Sequence, residues 1–508
     1  MLAAPSFNYL LLTSNSLLES ARHSTAKLPH HATMETIKAN ISATPLSTTI
    51  IVLTIGAMIL AGLSTLLVAK KDPQEPPFLS HSILLIGHLI PMFREGANYY
   101  TRLWNQHRQG IYTIPVLRGR MYMISSPDWA LAFHKAHKTL SFHDLVAPAL
   151  EKVFCFDGPT MEIIKENMND ERGDRSGVLL ETHDMIIKTM APGKHLDELN
   201  HRFLEELTPH FKGLVTDGKI EKLHLWDWVR HHFTLASCAA IYGPEDPFSL
   251  SPALEPDFWE IDYNVMKFII TPYPSIFARK ANMARQRVLD SLVEYAENEC
   301  WKQASQLAKN RADMNLGRGI SKRQHGVGEL SFLFALLTNT VPSAFWFLSY
   351  VFVDPELLAD VRAEVDQCVR VGEGKKRIIN ATKLKTQCPL FFCAMRETLR
   401  IAGVMNINRY VREDTMLTNH STDEAYLLRK GSMVQVASTV IHFLSEVFGE
   451  DAMEFRPRRF MSTTEKTLDP AAAFRDGTGK VHGGSFRTFG GGTLTISSYP
   501  PVFRWLIH

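Results

Sequence analysis

The apolar positions of this chain first gather in one uninterrupted stretch. Across 24 positions, 46–69, no residue is charged, and a helix of that length crosses a hydrocarbon core about 30 Å thick. Lys70 and Lys71 follow at once, and the positive-inside rule then places the residues after them on the cytosolic side. The pattern predicts a single transmembrane helix over 46–69. A signal sequence is the alternative, but its apolar part would be shorter.

A second stretch, 330–353, also carries no charged side chain and is long enough for a membrane span. Its middle holds polar and helix-bending residues: Thr338, Asn339, Thr340, Pro342 and Ser343. Proline removes a backbone donor and frees carbonyl groups for other partners. We therefore expect a buried helix with a distorted turn beside a ligand. Two alternatives remain. The stretch could be a second membrane span, or Asn339 and Thr340 could serve only to satisfy the backbone groups freed at a kink.

Between these two stretches the periodicity changes from helix to strand and back. An amphipathic pattern over 99–107 predicts a helix, and the alternating runs 111–116 and 121–124 predict a hairpin after it. Residues 145–320 are mainly helical in pattern. The sequence therefore predicts a mainly α fold with small β-sheets, an α+β class.

Breaks and turns divide the rest of the chain. The prolines of 243–247 and 271–274 interrupt the helical region, and the run 426–436 around Gly431 predicts a hairpin. Pro73, Pro76 and Pro77 also fall in the segment 70–77. They predict a stiff polyproline-like linker that holds a domain away from the membrane.

The N-terminal region 1–45 is poor in acidic residues and rich in Ser, Thr and His, which is typical of neither a folded domain nor a clean signal peptide. We treat it as a leader. Met34 is an alternative start, in which case the first residues would come from a misassigned start of translation.

Composition and charge narrow the class of protein. Hydrophobic residues make up 45% and charged residues 21%, as in an ordinary globular protein. Lys and Arg number 55 against 53 Asp and Glu, with no dense basic block, so no nucleic-acid partner is predicted. The six cysteines include no Cys-x-x-Cys pair and are typical of reduced, mostly buried thiols.

Three motifs follow one another in the C-terminal part. Glu397 and Arg400 stand at i, i+3 on one helix face, where they can pair. Phe455-Arg456-Pro457-Arg458-Arg459-Phe460 comes next, and the glycine-rich run 483–493 comes last. Glycines in such a loop let the backbone approach a flat ligand closely. Each motif alone is weak, but their order and spacing resemble the cytochrome P450 superfamily over about 73–493.

The resemblance implies a haem cofactor and a role for each matching residue. Phe489 and Gly492 take the first two places of the haem-binding loop, and Arg459 joins Glu397 and Arg400 in a buried triad that fixes this loop. Arg409 matches the strand arginine that pairs with a haem propionate; an exposed strand charge is its alternative. The cysteine that ligates iron should stand at 496, where this sequence has Ile496, so no metal ligand is assigned. Cys388 and Cys393 are not placed under the iron by this loop.

The polar group in the second apolar stretch resembles the oxygen-binding region of the same family. Asn339 replaces the usual acid and Thr340 supplies the hydroxyl, as in the branch with sterol 7α-hydroxylases, prostacyclin synthase and fungal secondary-metabolism P450s. An amide cannot donate a net proton, so water relayed through Thr340 is the expected route.

The resemblance then implies a membrane-anchored monooxygenase of the endoplasmic reticulum. Its partners would be NADPH–cytochrome P450 reductase and a lipophilic small-molecule substrate, a terpenoid, sterol or polyketide of secondary metabolism. Two alternatives stay open: a P450-fold isomerase that needs no reductase, and a catalytically inactive remnant. The catalytic domain is expected to cover 78–493 and to be incomplete. The tail 494–508 matches nothing in the family and suggests a retained intron or a frameshift in the coding sequence.

Overall fold

A computed structural model describes residues 72–79, 88–116, 119–213, 222–372, 377–403, 406–462, 467–469, 484–486 and 488. The predicted leader 1–45, the transmembrane helix 46–69 and the tail 494–508 lie outside the described residues.

Helices dominate the described chain. Its N-terminal helices are α1 (Leu89–Glu95), α2 (Ala97–His107), α3 (Pro127–Lys135), α4 (His143–Lys152), α5 (Gly158–Lys165), α6 (Val178–Thr189), α7 (Lys194–Gly213), α8 (Leu225–Tyr242), α9 (Pro247–Leu250) and α10 (Leu254–Tyr263). The later ones are α11 (Val265–Ile270), α12 (Pro274–Phe277), α13 (Arg279–Glu297), α14 (Gln306–Gly317), α15 (Lys322–Val353), α16 (Pro355–Gln367), α17 (Ala381–Gln387), α18 (Pro389–Ala402), α19 (Ser438–Ile441) and α20 (Ser445–Phe448). The two predicted breaks are confirmed, because α8 ends at Tyr242 and α11 ends at Ile270.

The strands are short. They are β1 (Ile111–Val116), β2 (Gly119–Ile124), β3 (Leu140–Ser141), β4 (Val369–Val371), β5 (Arg377–Ile379), β6 (Ile407–Val411), β7 (Thr415–Thr418), β8 (Ala425–Leu428) and β9 (Met433–Val436). The main sheet has the order β1-β2-β9-β6-β3, in which β2 and β9 run parallel and the other pairs antiparallel. Together with the helices, these small sheets confirm the predicted mainly α fold.

The long helix α15 forms the centre of the molecule. It packs against α13, α8 and α18. Its apolar side chains share one large core with those of α8 and α13, and its last turns share a second cluster with α18. Length and composition would let α15 cross a membrane, yet 56% of its most apolar window is buried inside the protein. A buried core helix passes the same test, and the burial agrees with the expectation of a core helix. Pro342 is accommodated without ending the helix.

The first predicted hairpin is confirmed, and the second is wrong. Strands β1 and β2 pair from Ile111↔Ile124 to Val116↔Gly119. In the predicted 426–436 hairpin, by contrast, β8 pairs with β7 while β9 joins the main sheet. The turn between them bonds elsewhere: Gly431 N–H donates to the Val411 carbonyl, 2.8 Å, and Val411 N–H donates to Ser432, 2.9 Å. These bonds attach the turn between β8 and β9 to the end of β6.

The proline segment does not stand off from the domain. Its described part lies along β1, where Thr113 N–H donates to the Pro77 carbonyl over 2.8 Å and the Thr113 hydroxyl donates to Pro76 over 2.8 Å. The Glu75 carboxylate is buried, accepts a hydrogen bond from the Tyr122 hydroxyl, 2.9 Å, and contacts Arg120. The prediction of a spacer that stands off the domain is therefore wrong for the described part of this segment, 72–79, which is docked along β1.

Candidate functional site

Helix α18 carries two of the predicted site residues, and its start is built by two other elements. Pro389 occupies the first helical turn, where its missing N–H costs nothing. The next two N–H groups, of Leu390 and Phe391, each donate to one carboxylate oxygen of Glu364 on α16, both at 3.0 Å. A carboxylate at a helix N-terminus satisfies orphan donors and complements the helix dipole. Glu364 thereby fixes where α18 begins.

The structure brings together the three residues of the predicted triad. Arg400 and Glu397 form a two-pronged pair on α18, with Nε to Oε2 at 2.8 Å and Nη2 to Oε1 at 2.7 Å. Arg459 approaches from the following loop and donates its Nε–H to Glu397 Oε1 over 2.9 Å. Glu397 and Arg400 are fully buried. The planar guanidinium suits this contact because it bonds a carboxylate with two parallel N–H groups.

Both arginines also hold the backbone of the segment 442–454. Arg400 donates to the carbonyls of His442 and Ala452, at 2.7 and 2.6 Å. Arg459 donates to those of Phe448 and Asp451, at 2.6 and 2.8 Å. This segment consists of the four-residue helix α20 and short turns, so the arginines supply partners to carbonyls that a longer helix or a strand would bond internally.

Charge balance in this cluster depends on Asp451. Its carboxylate accepts from Arg459 Nη1 at 2.8 Å, and this bond lowers the pKa of Asp451. Burial by itself lowers the pKa of Arg459, but the bonds to Asp451 and Glu397 outweigh it, and the pKa is raised. Asp451 and Arg459 therefore stay ionised at neutral pH.

The described residues just before the glycine loop contact the same framework. The Thr488 hydroxyl donates to the Leu399 carbonyl of α18 over 3.0 Å. The Phe486 ring stacks on His442, with centroids 5.6 Å apart, and lies 4.1 Å from the Arg396 guanidinium carbon. A Cβ at Gly484 would stand 1.8 Å from the Pro127 carbonyl oxygen, so only glycine fits there. Phe486 and Thr488 lie inside the glycine-rich run 483–493, but sequence reasoning gave neither a role, and it missed His442.

Arg409 is buried on β6. Its Nη1–H donates to the Phe133 carbonyl of α3 over 3.2 Å, and the guanidinium lies 4.5 Å from the centre of the Phe133 ring. Burial lowers the pKa of Arg409 to about 10. The exposed strand charge that was the alternative is thereby excluded. Phe489, Gly492 and Ile496 lie outside the described residues.

Asn339 and Thr340 bond within their own helix. The Thr340 hydroxyl donates to the Leu336 carbonyl over 2.8 Å, and the Asn339 amide donates to Ala335 over 2.9 Å. Ser343 completes the turn, because its hydroxyl donates to the Asn339 carbonyl over 2.7 Å. Both side chains therefore bond back to carbonyls one turn earlier in α15, and a relay through Thr340 would require its hydroxyl to rotate.

A second buried ionic cluster, which sequence reasoning also missed, surrounds Glu329 near the start of α15. Arg311 of α14 donates to Glu329 Oε1 over 3.0 Å, and the Tyr242 hydroxyl of α8 donates to Oε2 over 3.0 Å. His325 lies one turn earlier, its Nδ1 3.5 Å from the carboxylate. Burial alone would raise the pKa of Glu329, but Arg311 and His325 reverse this and lower it. The sequence signal that could have found this cluster is His325 and Glu329, four positions apart and just before the uncharged stretch 330–353.

The residues present fit a haem in part. Arg409 is a buried cation on the sheet, and the Glu397 cluster fixes the segment that leads to the glycine loop, as a haem pocket requires. The donor set is incomplete, because the position expected for a thiolate is Ile496. Cys393 lies inside α18 among packed side chains. Within the described ranges no group of three or more His, Cys, Asp and Glu side chains could hold a metal ion.

Comparison with known proteins agrees with this arrangement. The profile described as cytochrome P450 matches residues 256–493, a range that contains α15, α18 and the Glu397 cluster.

Several curated relatives cover much of the chain. A cytochrome P450 monooxygenase of Gibberella zeae is 29% identical over 83% of this chain and 77% of its own length. The 25-hydroxycholesterol 7-alpha-hydroxylase of Rattus norvegicus is 25% identical over 54% of this chain and 68% of its own. The prostacyclin synthase of Rattus norvegicus is 22% identical over 77% of each. The predicted resemblance to this branch is confirmed. The chain is therefore similar to cytochrome P450 enzymes, a family of haem-thiolate monooxygenases.

Proposed function

We propose that this protein is a membrane-anchored monooxygenase that oxidises a lipophilic small molecule, a terpenoid, sterol or polyketide, in secondary metabolism. The observation that carries the proposal is the buried Glu397–Arg400–Arg459 cluster, which holds the segment leading to the glycine loop. Similarity to a fungal P450 monooxygenase and to a sterol hydroxylase supports the substrate class. The helix 46–69 would anchor the protein in the endoplasmic reticulum, and NADPH–cytochrome P450 reductase would supply electrons.

In this proposal each site residue has one task. Phe489 and Gly492 would hold the haem in the glycine loop, and Arg409 would pair with a propionate. Bound haem would supply the oxidative chemistry. On α15, rotation of the Thr340 hydroxyl away from Leu336 would let Thr340, beside Asn339, pass a proton to or from water.

One observation favours a second candidate. Ile496 stands where the family has its thiolate, and no isoleucine can donate electron density to iron. An inactive remnant follows from that residue, whereas an isomerase that works without a reductase is suggested by Asn339 in place of the usual acid.

The test is the reduced carbon monoxide difference spectrum of the full chain and of Ile496→Cys. A monooxygenase requires the thiolate band in the natural chain, whereas a remnant predicts that the natural chain lacks the band and that Ile496→Cys gains it. A thiolate band in the natural chain would refute the role given to position 496. Failure of both proteins to bind haem, with both still folded by circular dichroism, would refute the monooxygenase and leave the remnant.

If Ile496→Cys shows the band, reductase-dependent consumption of NADPH in the presence of candidate lipids separates the two catalytic readings. Consumption coupled to product supports a monooxygenase. Turnover of an endoperoxide-like substrate without NADPH supports an isomerase.

A further inference from the structure

Two buried cysteines meet where α16 ends and α18 begins. Cys368 directly follows α16 and Cys388 directly precedes α18. Their sulfur atoms are 3.4 Å apart, and both residues are free thiols. The sulfurs need to close by about 1.4 Å to reach the S–S bond length. Both residues sit at helix ends, where the backbone is freer to adjust than inside a helix.

Glu364 joins the same corner. Its carboxylate caps α18, and its backbone carbonyl lies 3.8 Å from the Cys368 sulfur, which donates to it. Burial, then Cys368, then the Glu364 charge raise the pKa of Cys388 to about 12. At rest Cys388 is therefore held as a thiol, in agreement with a reducing cytosol.

We propose that Cys368 and Cys388 are a reversible oxidation site, at which a hydroperoxide converts the two thiols into a disulfide that ties α16 to α18. The first thiol attacks the hydroperoxide, breaks its O–O bond, forms a sulfenic acid and releases an alcohol, or water when the oxidant is hydrogen peroxide. The second thiol attacks the sulfenic sulfur, forms the S–S bond and releases water. Two thiols and one hydroperoxide thus give one disulfide, one alcohol and one water.

Access to the pair is controlled by the short helix α17, which ends at Gln387, immediately before Cys388. Cys388 N–H donates to the Leu384 carbonyl of α17 over 3.2 Å. A seven-residue helix between a two-stranded sheet and α18 opens at low free energy compared with the core. Oxidation therefore waits for this opening, and the pair reacts more slowly than an exposed low-pKa thiol.

The disulfide would act on the Glu397 cluster without touching it. Glu397 and Arg400 belong to α18, so a bond at the start of that helix restricts its opening from the N-terminal end. The inference concerns the fold alone and does not depend on bound haem or on the proposed activity.

The experiment treats the full chain with hydrogen peroxide, blocks remaining thiols by alkylation under denaturing conditions and maps peptides without reduction. We expect Cys368 and Cys388 to lose alkylation together, to appear as one linked peptide and to return on treatment with dithiothreitol. Hydrogen exchange over 389–395 should be slower in the oxidised protein than in the reduced one.

Matched variants keep the test sharp. Cys388→Ala and Cys368→Ala should each abolish the linked peptide. Cys393 is a buried cysteine within α18, and Cys393→Ala should leave the linked peptide unchanged. Circular dichroism shows whether each variant folds. The proposal is overturned if both cysteines stay alkylatable while other residues oxidise, if Cys388 links to a different cysteine, or if the linked peptide forms only in unfolded protein.

Discussion

Two of the buried carboxylates, Glu397 and Glu329, each pair with a buried arginine. The two clusters differ in the groups that their arginines bond. Around Glu397, Arg400 and Arg459 donate to five backbone carbonyls of the segment 442–454. Around Glu329 the bonds join side chains of helices, whose backbones are already satisfied internally.

The two clusters therefore have different structural roles. A buried ion pair is weak support for net stability, because desolvation cancels much of its attraction. The Glu329 cluster could therefore be replaced by apolar side chains of similar size. The Glu397 cluster cannot, because its arginines are the hydrogen-bond partners of a loop, and their removal would leave those carbonyls unsatisfied.

The largest effect is expected for Glu397→Gln, which leaves the buried Arg400 without a carboxylate and Arg459 with Asp451 alone. We expect a loss of about 4 kcal/mol in the free energy of unfolding, measured by urea unfolding under circular dichroism. The control is Arg458→Ala, which removes an exposed pair with Asp360 of 2.7 Å and should cost less than about 1 kcal/mol. Equal effects for the two variants would contradict the positioning role.

The second prediction tests whether the Glu329 cluster is replaceable. Glu329→Gln alone should cost about 3 kcal/mol, because Arg311 stays buried without its charge partner. The double variant Arg311→Met with Glu329→Leu should recover most of that loss, to within about 1 kcal/mol of the natural protein.

Urea unfolding of the single and double variants, compared with Arg400→Met combined with Glu397→Leu, gives the contrast directly. If the Glu397 pair is rescued as well as the Glu329 pair, the distinction between the two clusters fails.

The third prediction concerns Asp262 on α10, a buried carboxylate whose Oδ1 has no hydrogen-bond partner among the described residues. Burial raises its pKa to about 7, whereas an unfolded Asp has a pKa of about 4. The unfolded chain loses this proton first, so the stability falls as the pH rises between these values.

Asp262→Asn should remove that fall and gain roughly 2 kcal/mol at pH 8, with a much smaller gain at pH 5. Thermal unfolding at the two pH values measures it, with Asp290→Asn on the exposed face of α13 as the control. A gain of the same size at both pH values would show that the carboxylate is not protonated in the fold.

The smallest effect is expected for Glu364→Gln, which keeps one acceptor oxygen at the start of α18 and loses the charge. We expect a loss of about 1 kcal/mol and faster hydrogen exchange at Leu390 and Phe391. Glu364→Ala should cost more, because both N–H groups then lose their acceptor. Unchanged exchange in both variants would mean that Glu364 does not set the start of the helix.

Local chemistry made much of the fold and part of the site predictable from sequence. The i, i+3 spacing of Glu397 and Arg400 fixes their pairing on any helix, and the alternating runs around Tyr112 and Tyr122 fix a hairpin. The resemblance then added Arg459, which joins them from sixty-two positions away.

What could not be predicted depends on partners that no sequence window contains. Strands β8 and β9 have the alternation of a hairpin, and only the Gly431 and Ser432 bonds to Val411 show that they separate. Phe486 and Thr488 reach the Glu397 framework through ring stacking and one hydroxyl, for which the sequence holds no spacing rule.

The docked segment 72–79 has a consequence for aggregation. Strand β1 is an edge of the main sheet, and the segment covers that edge through a parallel bridge between Phe78 and Thr113. An uncovered edge strand can recruit the strands of other molecules. A chain shortened to begin after Leu79 would expose β1 and lose the Glu75 contact with Tyr122, so it should self-associate, whereas one shortened to begin at Asp72 should stay monodisperse.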